Sequence, residues 1–264
     1  MPAAASGQVE LMDGAKVVAK AILDHGSATL ATSNLGVGDH ALKVHYSGSL
    51  AYRSTNSKAI ALKVAKAAPS VDVATQAGPI VVGQPMTVTA RVAARPNGDV
   101  APAGMVRFYD GDRLLGSSVL QGKTGQATAT VRLIDSGSRT IRAVFDGDLN
   151  YQGAAGTIPR SIAKANSTTT VKVATVLKGK PGRQSLDSYQ VTVQVAAVAP
   201  GQAGPTGSVV VTVGKTKRTL KLTNGAATFK LTPAQGRGQT LTAAYAGDGR
   251  LQASVSKKLT ISAR

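Results

Sequence analysis

The sequence predicts an all-β chain: tandem antiparallel β-sandwiches arranged as an elongated array. Three observations predict it. Segments recur about a hundred residues apart, apolar and polar residues alternate with a period of two, and turn dipeptides separate the alternating runs. Tyr46-Ser47-Gly48-Ser49, Phe145-Asp146-Gly147-Asp148 and Tyr245-Ala246-Gly247-Asp248 lie 99 and then 100 residues apart, as do Gly26-Ser27-Ala28-Thr29, Gly125-Gln126-Ala127-Thr128 and Gly225-Ala226-Ala227-Thr228. Gly7 to Asp13-Gly14 matches Gly104 to Asp110-Gly111, with a drifted counterpart from Gly207 to Gly214. A unit of this length accommodates a seven-stranded sandwich and is too long for a solenoid repeat.

The repeats divide the chain into residues 1–67, 68–165 and 166–264. The first copy starts at the position equivalent to about residue 97 of the second. It is therefore expected to hold strands C to G without A and B, and residue 1 reads as the edge of a fragment. A sheet missing two partners would expose an edge and part of its core. In the second copy Ala127, Ala129, Val131 and Leu133 share one face, while Gln126, Thr128, Thr130 and Arg132 share the other. Asn97-Gly98, Asp110-Gly111 and Asp146-Gly147 mark its turns, with Pro102 in the expected B–C loop. In the third copy Val191, Val193 and Val195 alternate with Thr192 and Gln194, and Val209, Val211 and Val213 flank Thr212. Its strands are placed at A 169–176, B 188–198, C 208–213, D 217–222, E 226–231, F 239–245 and G 253–262. Asn224-Gly225 marks the D–E turn and Pro205 the B–C loop. One-sided alternation of this kind belongs to antiparallel sheets stacked face to face. The linkers Lys66-Ala67-Ala68 and Lys164-Ala165-Asn166 are neither Gly/Ser-rich nor Pro-rich, so a semi-rigid rod is expected.

Composition constrains the interiors. Aromatic residues make up 3% of the chain, with no Trp and no Cys. Cores must be filled by Val, Leu, Ile and Ala, without a disulfide between the sheets. The N-terminus shows no basic segment followed by an apolar one, and nowhere do eighteen apolar residues run together. The expectation is a fragment without a membrane span whose export signal lies elsewhere.

The residues that could carry chemistry are few. His25, His40 and His45 all lie in the first copy, and His40 and His45 fall on opposite faces of one strand, which does not suit shared chelation. Asp110 with Asp112 and Asp146 with Asp148 could suggest calcium, but the pattern does not recur in every copy, and turn formation is the favoured reading. No Gly-x-Ser-x-Gly elbow, phosphate loop or acid/base carboxylate pair is present, so neither a catalytic nor a metal site is expected, and no cofactor. Gly236-Arg237-Gly238 is a weak phosphate signal in the E–F loop. Asn166-Ser167-Thr168 is a formal glycosylation acceptor, read as fortuitous.

Charge is the informative feature. The net charge of +18 divides as +3, +3 and +12 among the copies, the third holding 14 Lys and Arg against 2 acidic residues. In a sandwich entered at strand A, the A–B, C–D and E–F loops share the pole at which strand G leaves. Lys178, Lys180 and Arg183 fall in A–B, Lys215, Lys217 and Arg218 in C–D, and Arg237 in E–F. These seven cations are the candidate site for an anionic polymer, such as a wall polymer, an acidic polysaccharide or nucleic acid. Sequence-specific nucleic-acid binding is not expected. It needs stacking aromatics, and the third copy has Tyr189, Phe229 and Tyr245, the last two on core faces.

The pattern of Gly104 followed by Val106-x-Phe108-Tyr109-Asp110-Gly111-x-x-x-Leu115-Gly116 continues with Gly125-x-Ala127-Thr128, then with an apolar strand ending in Phe145-x-Gly147-Asp148-x-x-Tyr151. Carried by residues 104–116, 125–133 and 141–151, it resembles the bacterial Ig-like domain 3 family. The third copy departs from it at Gly214-Lys215. The resemblance implies immunoglobulin-like sandwiches from an extracellular or cell-surface bacterial protein, acting as spacer, stalk or adhesive module beside other domains of a longer chain. Decoration of a phage virion is the further alternative it implies.

Overall fold

The computed structural model describes residues 5–33, 35–94 and 101–262. Every regular element within them is a strand, apart from two single helical turns. The expected turn at Asn97-Gly98 lies outside the described residues.

The second repeat is a complete sandwich. Its strands are β6 (Ser70–Thr75), β7 (Ile80–Val81), β8 (Pro85–Ala93), β9 (Met105–Asp110), β10 (Arg113–Val119), β11 (Gln126–Arg132), β12 (Gly137–Phe145) and β13 (Ala154–Ala163); before them lie the strands of the first repeat, β1 (Gln8–Asp13), β2 (Lys16–Ile22), β3 (Gly38–Tyr46), β4 (Thr55–Asn56) and β5 (Ile60–Val64). One sheet of the second repeat runs β11-β8-β6, and the other β10-β9-β12-β13-β7. Alternation places Met86, Val88, Ala90 and Val92 of β8 against Val106, Phe108, Ile141, Ala143 and Phe145 of the facing sheet, all at most 2% exposed. Removing such side chains from water drives the two layers together.

The third repeat has β14 (Ser167–Lys178), β15 (Ser185–Ala197), β16 (Ser208–Val213), β17 (Thr216–Lys221), β18 (Ala226–Leu231), the short helix α1 (Pro233–Gly236), β19 (Thr240–Tyr245), β20 (Ser254–Val255) and β21 (Leu259–Thr260). Its sheets are β14-β15-β18 and β17-β16-β19, with β20 and β21 both on β19. Two details differ from the sequence reading. The strand expected as D pairs with β16 from Val213↔Thr216 to Ser208↔Lys221, so it joins the C–F–G sheet as a C′ strand. The tight Gly214-Lys215 turn, with Gly214 at φ 56°, folds the chain straight back onto β16. The expected continuous G strand is two short pieces, and between them Ser256 donates its N–H to Ala243 O at 2.8 Å and accepts the Ala243 N–H on its hydroxyl at 2.9 Å.

The first repeat is a single sheet, β2-β1-β3-β4 with β5 also on β3. The E strand expected in this copy does not form: residues 28–33 carry no strand. Ala28, Leu30 and Thr32 nonetheless remain half-buried while Thr29, Ala31 and Ser33 are exposed. The physical reason lies in the other repeats, where E pairs with B through β11–β8 and β18–β15. Among the described residues no strand stands in the place of B, and the segment keeps its alternation without joining a ladder.

Each linker alanine is hydrogen-bonded into the repeat that follows it. Ala67 N–H donates to Asn150 O at 2.9 Å and Ala67 O accepts Gln152 N–H at 2.8 Å; Ala165 repeats this with Arg250 O and Gln252 N–H at 2.9 and 2.8 Å. The second and third repeats make further contacts. Gln202 N–H donates to Val82 O at 3.2 Å, Ser136 Oγ donates to Gly249 O at 2.6 Å, and Arg250 Nε lies 3.3 Å from Asp135 Oδ1. Ala203 packs against both cores.

Candidate functional site

The A–B turn of residues 179–184, the Gly214-Lys215 turn and α1 occupy one pole of the third repeat, because successive antiparallel strands alternate direction. Gly214 N–H donates to Thr240 O at 2.9 Å, holding the second of these turns against the start of β19. The sequence Thr232-Pro233-Ala234-Gln235 supplies α1 with a capping box: Thr232 Oγ1 accepts Gln235 N–H at 3.3 Å, and Gln235 Oε1 accepts Thr232 N–H at 3.1 Å. Arg237, at the C-cap, is exposed.

The seven candidate cations are not in equivalent settings. Lys178 closes β14 and lies 3.7 Å from Asp187, an exposed pair that contributes little. Lys180 and Arg183 belong to the protruding turn, where Lys180 O accepts Arg183 N–H at 2.9 Å. Lys217 and Arg218 are on β17 and not in a loop, so they point to opposite faces. Lys217 faces solvent. Arg218 turns inward with its guanidinium 5.6 Å from the Phe229 ring centre, a cation–π contact. Lys215 and Arg218 line one hollow of about 580 Å³ together with Leu231, Gln235 and Gln239. Lys178, Lys180, Arg183 and Lys217 do not line it.

Tyr189 joins Tyr245 in the interior, each 2% exposed, and Phe229 is half-buried. None of these three presents a stacking face to solvent. His40 and His45 both lie on β3 with separate partners: His40 Nδ1 is 2.7 Å from Asp13 Oδ2 and its Nε2 is 2.8 Å from Gly36 O, while His45 Nδ1 is 2.9 Å from Asn56 Oδ1. The Asp13 hydrogen bond, then that to Gly36, raises the His40 pKa. His25 sits in a turn at φ 49°, beside Asp24. Among the described residues no group of three or more His, Asp or Glu is placed to hold a metal.

The carboxylates of the Asp146-Gly147-Asp148 turn are engaged by groups of this chain. Asp146 pairs with Arg107 at 2.6 Å. Asp148 accepts N–H groups from Asn150 and Tyr151 on Oδ1, both at 2.7 Å, and from Ala103 on Oδ2 at 2.8 Å. Asp248 repeats the arrangement with Arg250 and Leu251 on one oxygen, and the Thr206 N–H and hydroxyl on the other. Burial pushes both carboxyls upward, but these donors outweigh it and hold them below the usual carboxylate range. Burial, followed by the neighbouring Asp248, pushes Tyr245 up to about 12. The recurrence of Asp148 and Asp248 was visible in the sequence, whereas their long-range partners Ala103 and Thr206 were not.

One feature had no sequence signal. Tyr189, whose hydroxyl is buried without a hydrogen-bond partner, lines a cleft of about 550 Å³ between β14 and β21.

The chain resembles, at low identity, the fibronectin(III)-like modules of CbhA from Clostridium thermocellum: 15% identity over 72% of this chain and 94% of that one, TM-score 0.25. Against β-glucuronidase of Parabacteroides merdae the values are 14%, 73% and 25%, TM-score 0.26, so the chain spans about a quarter of that enzyme's length. Against the full ectodomain of mouse nectin-like molecule 4 they are 13%, 97% and 89%, TM-score 0.29. No curated protein matches the chain. The family model for the bacterial Ig-like domain (group 3) matches three times, at residues 1–65, 73–163 and 177–264. Three matches over most of the length place the chain in the bacterial Ig-like domain (group 3) family.

Proposed function

We propose that the chain is a semi-rigid spacer or interaction stalk of a bacterial surface or secreted protein. Domains of its family are generally surface-associated structural or binding modules and typically non-catalytic. The packed joint between the second and third repeats carries the proposal: Ala203 touches both cores, and Val82, Asp135 and Ser136 bond to Gln202, Arg250 and Gly249. A flexible tether would need none of these contacts. Spin labels at the exposed positions Thr128 and Thr228 should give a narrow distance distribution, and labels at the exposed Ala41 of β3 and Thr128 a broader one. Equal breadth for both pairs would refute a stiffened joint.

A second reading, contact with an anionic polymer, rests on the +12 repeat, where Lys178 alone of the seven candidate cations has a carboxylate partner among the described residues. Reversing Lys178, Lys180, Lys215 and Lys217 to Glu should abolish retention on a polyanion column, and reversing the exposed Arg91 and Arg113 should change it little. Retention should fall steeply with salt, with a log–log slope approaching the number of contacts. Equal losses from both sets of reversals would mean diffuse charge.

A further inference from the structure

The same position in the fold is filled in the second repeat and open in the third. In the second, the chain leaves β8 after β6 and crosses to β13, which β7 joins in parallel through Ile162↔Ile80 and Ala163↔Val81. Ile80 and Val82 become 2% and 1% exposed as they enter the core, and Met86 lies in the same cluster. Arg160 of β13 donates to the Gln76 and Gly78 carbonyls at the crossing. In the third repeat, β14 never leaves β15: the two pair from Ser167↔Ala197 to Lys178↔Ser185. Among the described residues no segment crosses to β21, which there pairs on one side only, with β19.

The result is the cleft of about 550 Å³, walled by Val171 and Val173 of β14 and by Leu259 and Ile261. Tyr189 stands where Met86 stands in the second repeat, since Tyr189 faces Leu231 as Met86 faces Val131. Its ring rests against Gly236, where any side chain would collide with it. Its hydroxyl is buried with no partner, which is costly unless something supplies an acceptor.

We propose that this cleft binds an extended peptide strand from another polypeptide. The strand runs alongside Leu259–Ser262, buries two apolar side chains spaced i and i+2, and presents a backbone carbonyl to Tyr189 Oη. The occupant's chemistry is set by the chain itself: Ile80-Val81-Val82 fills the equivalent space of the second repeat in this manner. Strand addition to an unpaired edge, with apolar side chains seated in pockets, is a general mode of peptide recognition.

The test uses the full chain and a fluorescein-labelled peptide of residues 77–84, Ala-Gly-Pro-Ile-Val-Val-Gly-Gln. Fluorescence anisotropy should rise and saturate below about 1 mM peptide. A peptide carrying Ile80→Ser and Val82→Ser should not bind. Val173→Arg should abolish binding. Tyr189→Phe keeps the ring on Gly236 and removes an unpaired hydroxyl, so it should leave the melting temperature unchanged or raised while weakening the peptide about five-fold, the worth of one hydrogen bond. Methyl NMR of the unaltered chain should show shifts confined to Val171, Val173, Leu259 and Ile261. The proposal fails if anisotropy does not saturate, if the serine peptide binds equally, if Tyr189→Phe leaves affinity unchanged, or if the shifts fall on the open sheet of the first repeat.

Discussion

At the scale of single residues, two aspartates do more than their turn propensity explains. Asp148 and Asp248 each tie a tight F–G turn to the loop before β9 or β16, using both carboxylate oxygens. Asp248→Ala leaves several N–H and O–H donors without an acceptor and is expected to cost the third repeat roughly 2–4 kcal/mol, read as a lower denaturant midpoint at unchanged slope. Because the folded carboxyl titrates below its ordinary value, its stabilisation is complete above about pH 4 and is lost as pH falls through the folded pKa. Asp248→Asn should therefore flatten the acid limb of the third repeat's stability profile; an unchanged limb would remove the aspartate from the account. His40 has the opposite sign. Its raised pKa means that the pairing with Asp13 stabilises the first repeat below its ordinary value of 6.5 and fades as pH rises past the folded value. The first repeat has Ser49 at the position of these aspartates, so its F–G turn lacks the same clamp.

At the scale of elements, alternation made the strands legible but not their partners. Val191, Val193 and Val195 reveal an inward face whichever neighbour bonds to their strand, and so β15 was readable while the sheet membership of β17 was not. The hydrogen-bond partner of β17 is set by the two-residue turn at Gly214-Lys215, a geometric constraint that hydrophobic pattern does not carry. The split of strand A in the second repeat was hidden for a related reason: Gln76 to Pro79 reads as an ordinary turn, and only the fold shows that it moves the chain from one sheet to the other. Of the seven candidate cations, loop counting placed those of the A–B and E–F segments at the pole but could not show that Lys217 and Arg218 diverge. Residues 28–33 of the first repeat keep a strand's alternation without being part of a strand. In hydrogen exchange of the full chain their amides should exchange far faster than those of Ala127–Val131 and Ala227–Leu231. Comparable protection would mean that the segment has found a ladder after all.

At the scale of the whole molecule, the repeats are joined through hydrogen-bonded alanines, and the second and third also through the Asp135–Arg250 pair and the Ser136–Gly249 bond. Gly36 and Val37 occupy the positions of Asp135 and Ser136 in the first repeat, and Leu149 and Asn150 those of Gly249 and Arg250 in the second. The first joint has side-chain contacts of its own, Lys66 Nζ to Asp148 O and Gln152 Nε2 to Lys66 O, but the Asp135–Arg250 pair has no counterpart there, so the second joint is expected to be the stiffer. Asp135→Ala with Arg250→Ala should broaden the Thr128–Thr228 distance distribution without lowering the melting temperature of either repeat by more than a few degrees, because exposed ion pairs contribute about 0–1 kcal/mol. Small-angle scattering of the intact chain tests the spacer reading most directly. A tandem rod of sandwiches predicts a maximum dimension of about 90–120 Å from strands of ~3.3 Å per residue stacked end to end. A radius of gyration near the roughly 18 Å of a compact globule of this length, with a correspondingly short maximum dimension, would contradict it.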